Sequence, residues 1–343
     1  MIKDDFSVKR NLIFMGTPSF VVPVLQSLSN FDWNIIVYTA PDRPSGRGKK
    51  LKQSDVKIAA LDLGFHVKQP ESFLKNPKSV NEILEFRPDL IIVAGYGLIL
   101  PKEILDFPPL GCINIHPSIL PKYRGPSPVS TAILNGDSHT GVTLMMMNEG
   151  LDSGPIIDQK IVSIDQSDRN DTLTEKLFLM GSDLLKDYLM NYENNQKTPS
   201  LQDDSKAVYT ALVVKQDGKL DFSRGAAFLE RQVRAYDPWP GTYANFNNVI
   251  LKILNVKVMR LSNKDLLHLK DLILGSIIRL DEFEDIGYVE SEKFYKVSKG
   301  AMGVVTGDGS VLEIQSVQLP GRKVITAQQL MLNYPEILSL RLT

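Results

Sequence analysis

Leu90-Ile91-Ile92-Val93-Ala94 is the most apolar short run in the chain. It is too short for a helix core and has no polar alternation. It therefore reads as a central parallel strand buried on both faces. Outward from it, Leu12–Met15 is a second buried strand, closed by Gly16-Thr17-Pro18, and Trp33–Thr39 is a third. Cys112–His116 and Val142–Met147 complete the series. Helical patterns fall between them: Phe20–Leu28, a helix running from an N-cap at Ser54 to Leu63, and a helix ending over Asn81–Phe86. Strands alternating with helices predict an α/β, Rossmann-like domain with a mostly parallel sheet. Ligands of such sheets sit beyond the carboxyl ends of the strands.

His116 lies at such an end. Asn114 and His116 are two apart, so on a strand their side chains share one face, while Ile115 points the other way into a core. Downstream, Asp152 sits in the turn Gly150-Leu151-Asp152-Ser153-Gly154. Its carboxylate can orient and charge the imidazole. The three side chains together suggest acyl-type chemistry without a metal.

The pattern changes in the second half. Thr172-Leu173-Thr174-Glu175 has the form of a capping box, opening a helix with Leu173, Leu177, Met180, Leu184 and Tyr188 on one face. Residues 193–210 are polar, contain Pro199 and read as a linker. Phe222–Tyr236 predicts a short helix with Ser223 as N-cap, followed by Pro238-Trp239-Pro240-Gly241. Short β-like runs follow at Val249–Val258, Leu274–Ile278, Val304–Val305 and Val311–Val317, with Gly307-Asp308-Gly309 as a hairpin turn. These predict a small β-barrel. The division expected is 1–195 for the first domain, 196–211 for the linker and 212–343 for the second. Residues 261–297, rich in Lys, Asp and Glu, fit no clear register.

With 343 residues, 43% hydrophobic, the chain can bury a large core, and its formal charge of −1 excludes a global polyanion binder. Nucleic-acid contact must come from a local patch. Arg43, Arg47, Lys49, Lys50 and Lys52 stand against Asp42 alone, with Gly46 and Gly48 to let the backbone bend. The plainer reading is a solvated surface loop. A Walker-A reading fails because Lys49 is followed by Lys50, not Ser or Thr, and Gly16-Thr17-Pro18 lacks the dinucleotide spacing. The single cysteine, Cys112, fits a reducing cytosol and reads as a buried core thiol. Met1–Arg10 has no apolar region of a signal peptide, and no long apolar run predicts a membrane span. From Leu212 onward there are 17 Lys+Arg against 15 Asp+Glu, a weak excess of 2.

Asn114-Ile115-His116, Ser118-Ile119-Leu120-Pro121 and Asp152 resemble the signature of the 10-formyltetrahydrofolate-dependent formyltransferase family. Phe14–Pro18, Pro41–Leu51, Ala94–Pro101 and Pro238–Pro240 are similar to the branch acting on methionyl-tRNA. Pro117, Ile119 and Pro126-Ser127 depart from the family's usual residues. The resemblance implies formyl transfer from 10-formyltetrahydrofolate to the α-amino group of methionine on initiator tRNA. It implies a pterin lying against Val93, Gly95, Tyr96 and Gly97 and the loop at Asn148, with Ser118, Ile119, Leu120 and Pro121 walling the site. It implies a tRNA contact through Arg43, Arg47, Lys49 and Lys50, and a C-terminal OB-like barrel that supports the tRNA. A cytoplasmic monomer needing no metal for the chemistry is expected.

Formyl transfer builds negative charge on the formyl oxygen and releases a proton from the attacking amine. Asn114 is the candidate donor to that oxygen. His116 is the candidate acid or base, the two roles remaining open, and Asp152 would hold its ring. Without the resemblance, Asp152 would read as a turn residue. Ser118 lacks a nucleophile elbow and reads as a turn or ligand contact. Rival functions are a formyltransferase acting on a small amine, a formyl-folate hydrolase, and a non-catalytic tRNA- or folate-binding protein.

Overall fold

A computed structural model describes residues 9–45, 50–191, 198–246, 249–259, 273–283, 287–290 and 293–343. The chain divides into two compact units. The first comprises residues up to Pro128, His139–Ser163 and Thr172–Ala211; the second comprises Val129–Ser138, Ile164–Asp171 and Leu212–Thr343.

The first unit is built on nine strands: β1 (Asn11–Gly16), β2 (Asn34–Tyr38), β3 (Arg43–Ser45), β4 (Lys50–Lys52), β5 (His66–Lys68), β6 (Leu90–Ala94), β7 (Cys112–His116), β8 (His139–Met146) and β9 (Ile156–Ser163). Seven of them form one sheet in the order β5-β2-β1-β6-β7-β8-β9, while β3 and β4 pair as a separate hairpin. The pairings from β5 to β7 are parallel, and those of β8 with β7 and β9 are antiparallel. Strand β6 is the centre the sequence predicted: Leu90, Ile92 and Ala94 enter one core layer, and Ile91 and Val93 the other. The strand order reverses between β1 and β6, so the crevice at the carboxyl ends opens there.

Alternation on β7 is as expected. Ile113 and Ile115 enter one core layer, and Cys112 belongs to the other. That leaves Asn114 and His116 on the face of Cys112. Behind β7 the helix Asn170–Met190 comes close at Gly181, where an added Cβ would lie 2.6 Å from Ile115 Cγ2. A bare glycine lets the helix press on the residue between the two polar ones. This helix begins two residues before the Thr172 capping pattern. Asp171 in its first turn suits the positive end of the helix dipole, so the earlier start is favourable. Ser54 is the N-cap predicted, its side chain accepting from Lys57 N at 3.1 Å. Strands β5 and β9 carried no legible signal. The stretch expected as a linker, 196–211, is described from Thr198, and it is strapped onto this unit by bridges Ile156–Ser200 and Arg124–Tyr209.

The second unit carries β10 (Thr242–Phe246), β11 (Val249–Met259), β12 (Ile277–Arg279), β13 (Gly287–Glu290), β14 (Lys293–Lys296), β15 (Met302–Val305), β16 (Val311–Gln318) and β17 (Val324–Thr326). Its main sheet is antiparallel, in the order β10-β11-β16-β15-β12, with β17 also on β16. Among the described residues β10 and β12 do not pair, so the expected barrel is a curled half-barrel. Register shifts around Asn255 on β11 supply a bulge that bends its pairing with β16. The turn at Gly307-Asp308-Gly309 joins β15 to β16 as predicted. The helix predicted at Phe222–Tyr236 is Ala226–Ala235, capped at Gly225 rather than Ser223. The hydroxyl of Ser310, from that β15–β16 turn, accepts from Ala226 N at 3.2 Å, so the cap comes from across the unit. Of 261–297, the described parts include β12, β13, β14 and a short 3-10 turn at Leu280–Glu282.

Candidate active site

The sheet delivers Asn114 and His116 on one face, and two irregular turns complete the corner around them. In the first turn Tyr123 (φ 66°) and Gly125 (φ 106°) have left-handed backbone. In the second, Asp152 itself does, at φ 46°. Aspartate tolerates this region better than most residues, because its short side chain bonds locally.

Asp152 links the other two residues. Its Oδ1 accepts from Asn114 Nδ2 at 3.4 Å, and its Oδ2 accepts from the backbone N–H of Gly125 at 2.8 Å. The same Oδ2 lies 3.6 Å from His116 Nδ1. The opposite ring nitrogen, Nε2, is 2.9 Å from the carbonyl oxygen of Tyr123. A carbonyl only accepts, so Nε2 carries a hydrogen and Nδ1 faces the carboxylate. The His116 side chain is 6% exposed and that of Asp152 17%. The site is therefore sheltered and still open at the carboxylate. The sequence left acid and base roles undecided; the structure shows which ring nitrogen faces Asp152.

Several residues invisible to sequence reasoning hold these turns. Gln202 Nε2 donates to the carbonyls of Asp152 (2.9 Å) and Gly154 (2.7 Å). Gln202 Oε1 accepts from Arg124 Nε (3.0 Å) and Nη2 (2.9 Å). Arg124 is 1% exposed and also meets Asp204 Oδ1 at 2.7 Å and Tyr209 Oη at 3.1 Å. Their one sequence signal is local: Arg124 lies within a Tyr-Arg-Gly turn beside the site strand.

Of the residues expected along the co-substrate wall, Val93 pairs in register with Asn114, placing the Gly95-Tyr96-Gly97 turn at the same sheet edge. Tyr96 Oη is buried and has no hydrogen-bond partner among the described residues. Burial, then the neighbouring Tyr38, pushes this phenol above its ordinary range, so it stays protonated as a donor. Asn148 Oδ1 accepts from Gly150 N and Ser153 Oγ, each at 3.1 Å, and so shapes the Asp152 turn. Ser118 is wholly buried and donates to Lys122 O at 2.7 Å, and Leu120 is 2% exposed. Thr143 Oγ1 donates to Ser118 O (2.6 Å), and Gln159 Nε2 to Leu120 O (2.9 Å). The turn from Ser118 through Ile119 to Pro121 therefore contributes shape more than side-chain chemistry.

The basic segment is separate. Arg43 and Lys52 face each other across β3 and β4, and Lys50 opens β4; Arg47 and Lys49 lie outside the described residues. At the base of the hairpin, Asp42 accepts from Lys57 Nζ (2.7 Å) and Gln69 Nε2 (2.8 Å). These partners, Lys57 first, hold its carboxyl below the usual range. Cys112 is a buried thiol as predicted, pushed up to about 12 by burial.

Comparison with known proteins agrees with this geometry. The formyl transferase family matches residues 9–189, and the formyl transferase C-terminal domain matches residues 212–335. A methionyl-tRNA formyltransferase from Roseiflexus castenholzii is 39% identical over 92% of this chain and 93% of its own length. One from Lysinibacillus sphaericus is 37% identical over 93% and 94%. Among solved structures, an N-formyltransferase from Helicobacter canadensis superposes with a TM-score of 0.61 at 20% identity, covering 89% of this chain and 99% of that one, which speaks for the fold. The two family domains, in order, and relatives matching nearly end to end show that the chain belongs to the formyl transferase family, among the methionyl-tRNA formyltransferases.

Proposed function

We propose that the chain transfers a formyl group from 10-formyltetrahydrofolate to the α-amino group of methionine carried on initiator tRNA. One observation carries the chemical part: a single carboxylate, Asp152, ties an amide donor and an imidazole to one corner of the sheet edge. Formyl transfer forms a C–N bond to the amine and breaks the bond between the formyl carbon and the donor nitrogen. One proton leaves the amine and one arrives on the donor nitrogen.

The residues present fit a formyl-folate. Asn114 Nδ2 spends one hydrogen on a long bond to Asp152, leaving its other N–H for a ligand oxygen, and the buried Tyr96 hydroxyl is an unused donor. Val93, Gly95 and Gly97 would lie along the pterin, with Asn148 and Ser118–Pro121 shaping the walls. Bound there, the co-substrate supplies an electrophilic formyl carbon attached to a nitrogen leaving group. Asn114 meets the oxygen as charge builds on it, a contribution of about 3–4 kcal/mol for one such donor. His116 exchanges a proton at Nδ1, and Asp152 stabilises the protonated ring. Arg43, Arg47, Lys49 and Lys50 take phosphates of the tRNA.

The division of labour follows: 1–195 for catalysis, with 196–211 joining it as a strap from Thr198 onward, and 212–343 as tRNA support. Among the described residues no helix is long and apolar enough to cross a membrane, and the enzyme works as a cytoplasmic monomer in this reading. The test is incubation with 10-formyltetrahydrofolate and methionyl-tRNA. N-formyl-methionyl-tRNA is the expected product; folate deformylation at the same rate without tRNA would make the chain a hydrolase instead.

A further inference from the structure

We propose that Gln202, set by Arg124, is a positioning residue for Asp152. This inference rests on the formyl-transfer reading above. Asp152 must hold a left-handed backbone for its carboxylate to reach Asn114, His116 and Gly125 together. A non-glycine residue stays there only when its surroundings over-determine it. The amide nitrogen of Gln202 supplies that determination. It donates both hydrogens to carbonyls two residues apart, Asp152 O and Gly154 O, and so pins the turn on both sides of Ser153.

A glutamine amide has two ends of similar shape, and something must decide which end faces the turn. Arg124 decides it. A guanidinium only donates, so its Nε and Nη2 fix Oε1 of Gln202 toward themselves and leave the N–H pair for the carbonyls. Arg124 is itself fixed by Asp204, Tyr209 and backbone bonds to Val208 O and from Thr210 N, each of those two at 2.8 Å. It also lies between the carbonyl that holds His116 and the N–H that holds Asp152. Both arms of the site therefore hang from the strap running from Gln202 to Thr210.

The test is a cycle of Gln202→Ala, Asp152→Ala and the double variant, assayed for kcat and for the KM of methionyl-tRNA, with melting temperatures beside them. Gln202→Ala is expected to lower kcat about 10- to 100-fold with the tRNA KM within about twofold, as for a misplaced catalytic group. On the Asp152→Ala background it is expected to cost less than about twofold, because a residue acting through Asp152 has nothing left to position. A lowered melting temperature with wild-type kcat would overturn the proposal, as would a loss that multiplies in the double variant. If Gln202→Ala does not fold, Gln202→Glu takes its place under the same criteria: it keeps the arginine pair and removes the donors. An Asp152→Ala enzyme with wild-type kcat would overturn the catalytic reading itself, a result distinct from the others.

Discussion

Around Asp152 each arm of the site is tied from two directions, by the sheet beneath and by the strap from Gln202 to Thr210; the β3–β4 hairpin is tied at its base, through Asp42 to Lys57 and Gln69. The contrast matches what the proposed function asks of each region. Stabilising charge on one oxygen demands donors placed within a fraction of an ångström. Capturing a polyanion demands charge in roughly the right place, because phosphate attraction is long-ranged and tolerant of geometry. In the proposed reading, a corner held from two sides and a hairpin anchored at its base answer those two demands.

The contrast breaks first at the corner. Asn114→Ala is expected to lower kcat by about 10²–10³-fold while tRNA affinity stays within about twofold. Steady-state kinetics and filter binding read the two separately, and equal losses in both would merge the regions. The hairpin comes next. Arg47→Ala is expected to raise the tRNA KM with kcat nearly unchanged, and to reduce the slope of log affinity against log salt by about 1. A kcat loss without a change of slope would place Arg47 at the chemistry. Lys57→Met should act in the same direction and more weakly, since it removes one of the two tethers of Asp42 and no phosphate contact. A KM rise exceeding that of Arg47→Ala would show that the anchor matters more than the charge.

The smallest effect is expected in the second unit and depends on pH. Burial raises the pKa of Glu313, while Gln315 and Lys257 oppose the shift. The folded state then binds more protons than the unfolded state between the ordinary glutamate value and the raised one. Stability falls as pH rises through that window, and the cost is fully present above it. Glu313→Gln should therefore raise the melting temperature by about 2–4 °C at pH 8 and change little at pH 4. An equal shift at both values would point to packing rather than charge.

Legibility in the sequence followed the range of the interactions. Leu90–Ala94 and Cys112–His116 announced the sheet because burial on a strand is written in consecutive residues. Asn114 and His116 were readable for the same reason, two apart on one face. Gln202 and Arg124 were not, because the bonds between them span 78 positions and a polar, Pro-containing stretch reads as a connector. The helix cap from Ser310 to Ala226, 84 positions away, escaped likewise, and the local Ser223 was expected in its place. Strand β9 has an exposed, mixed face and no periodicity to mark it.

The most direct measurement is a crystal structure with a non-transferring formyl-folate analogue. The formyl oxygen is expected about 2.9 Å from Asn114 Nδ2, a normal N–H···O distance, with Asp152 still joining Asn114 to His116. A formyl group turned away from Asn114, or a folate bound with its formyl carbon outside the Asn114–His116–Asp152 corner, would contradict the account.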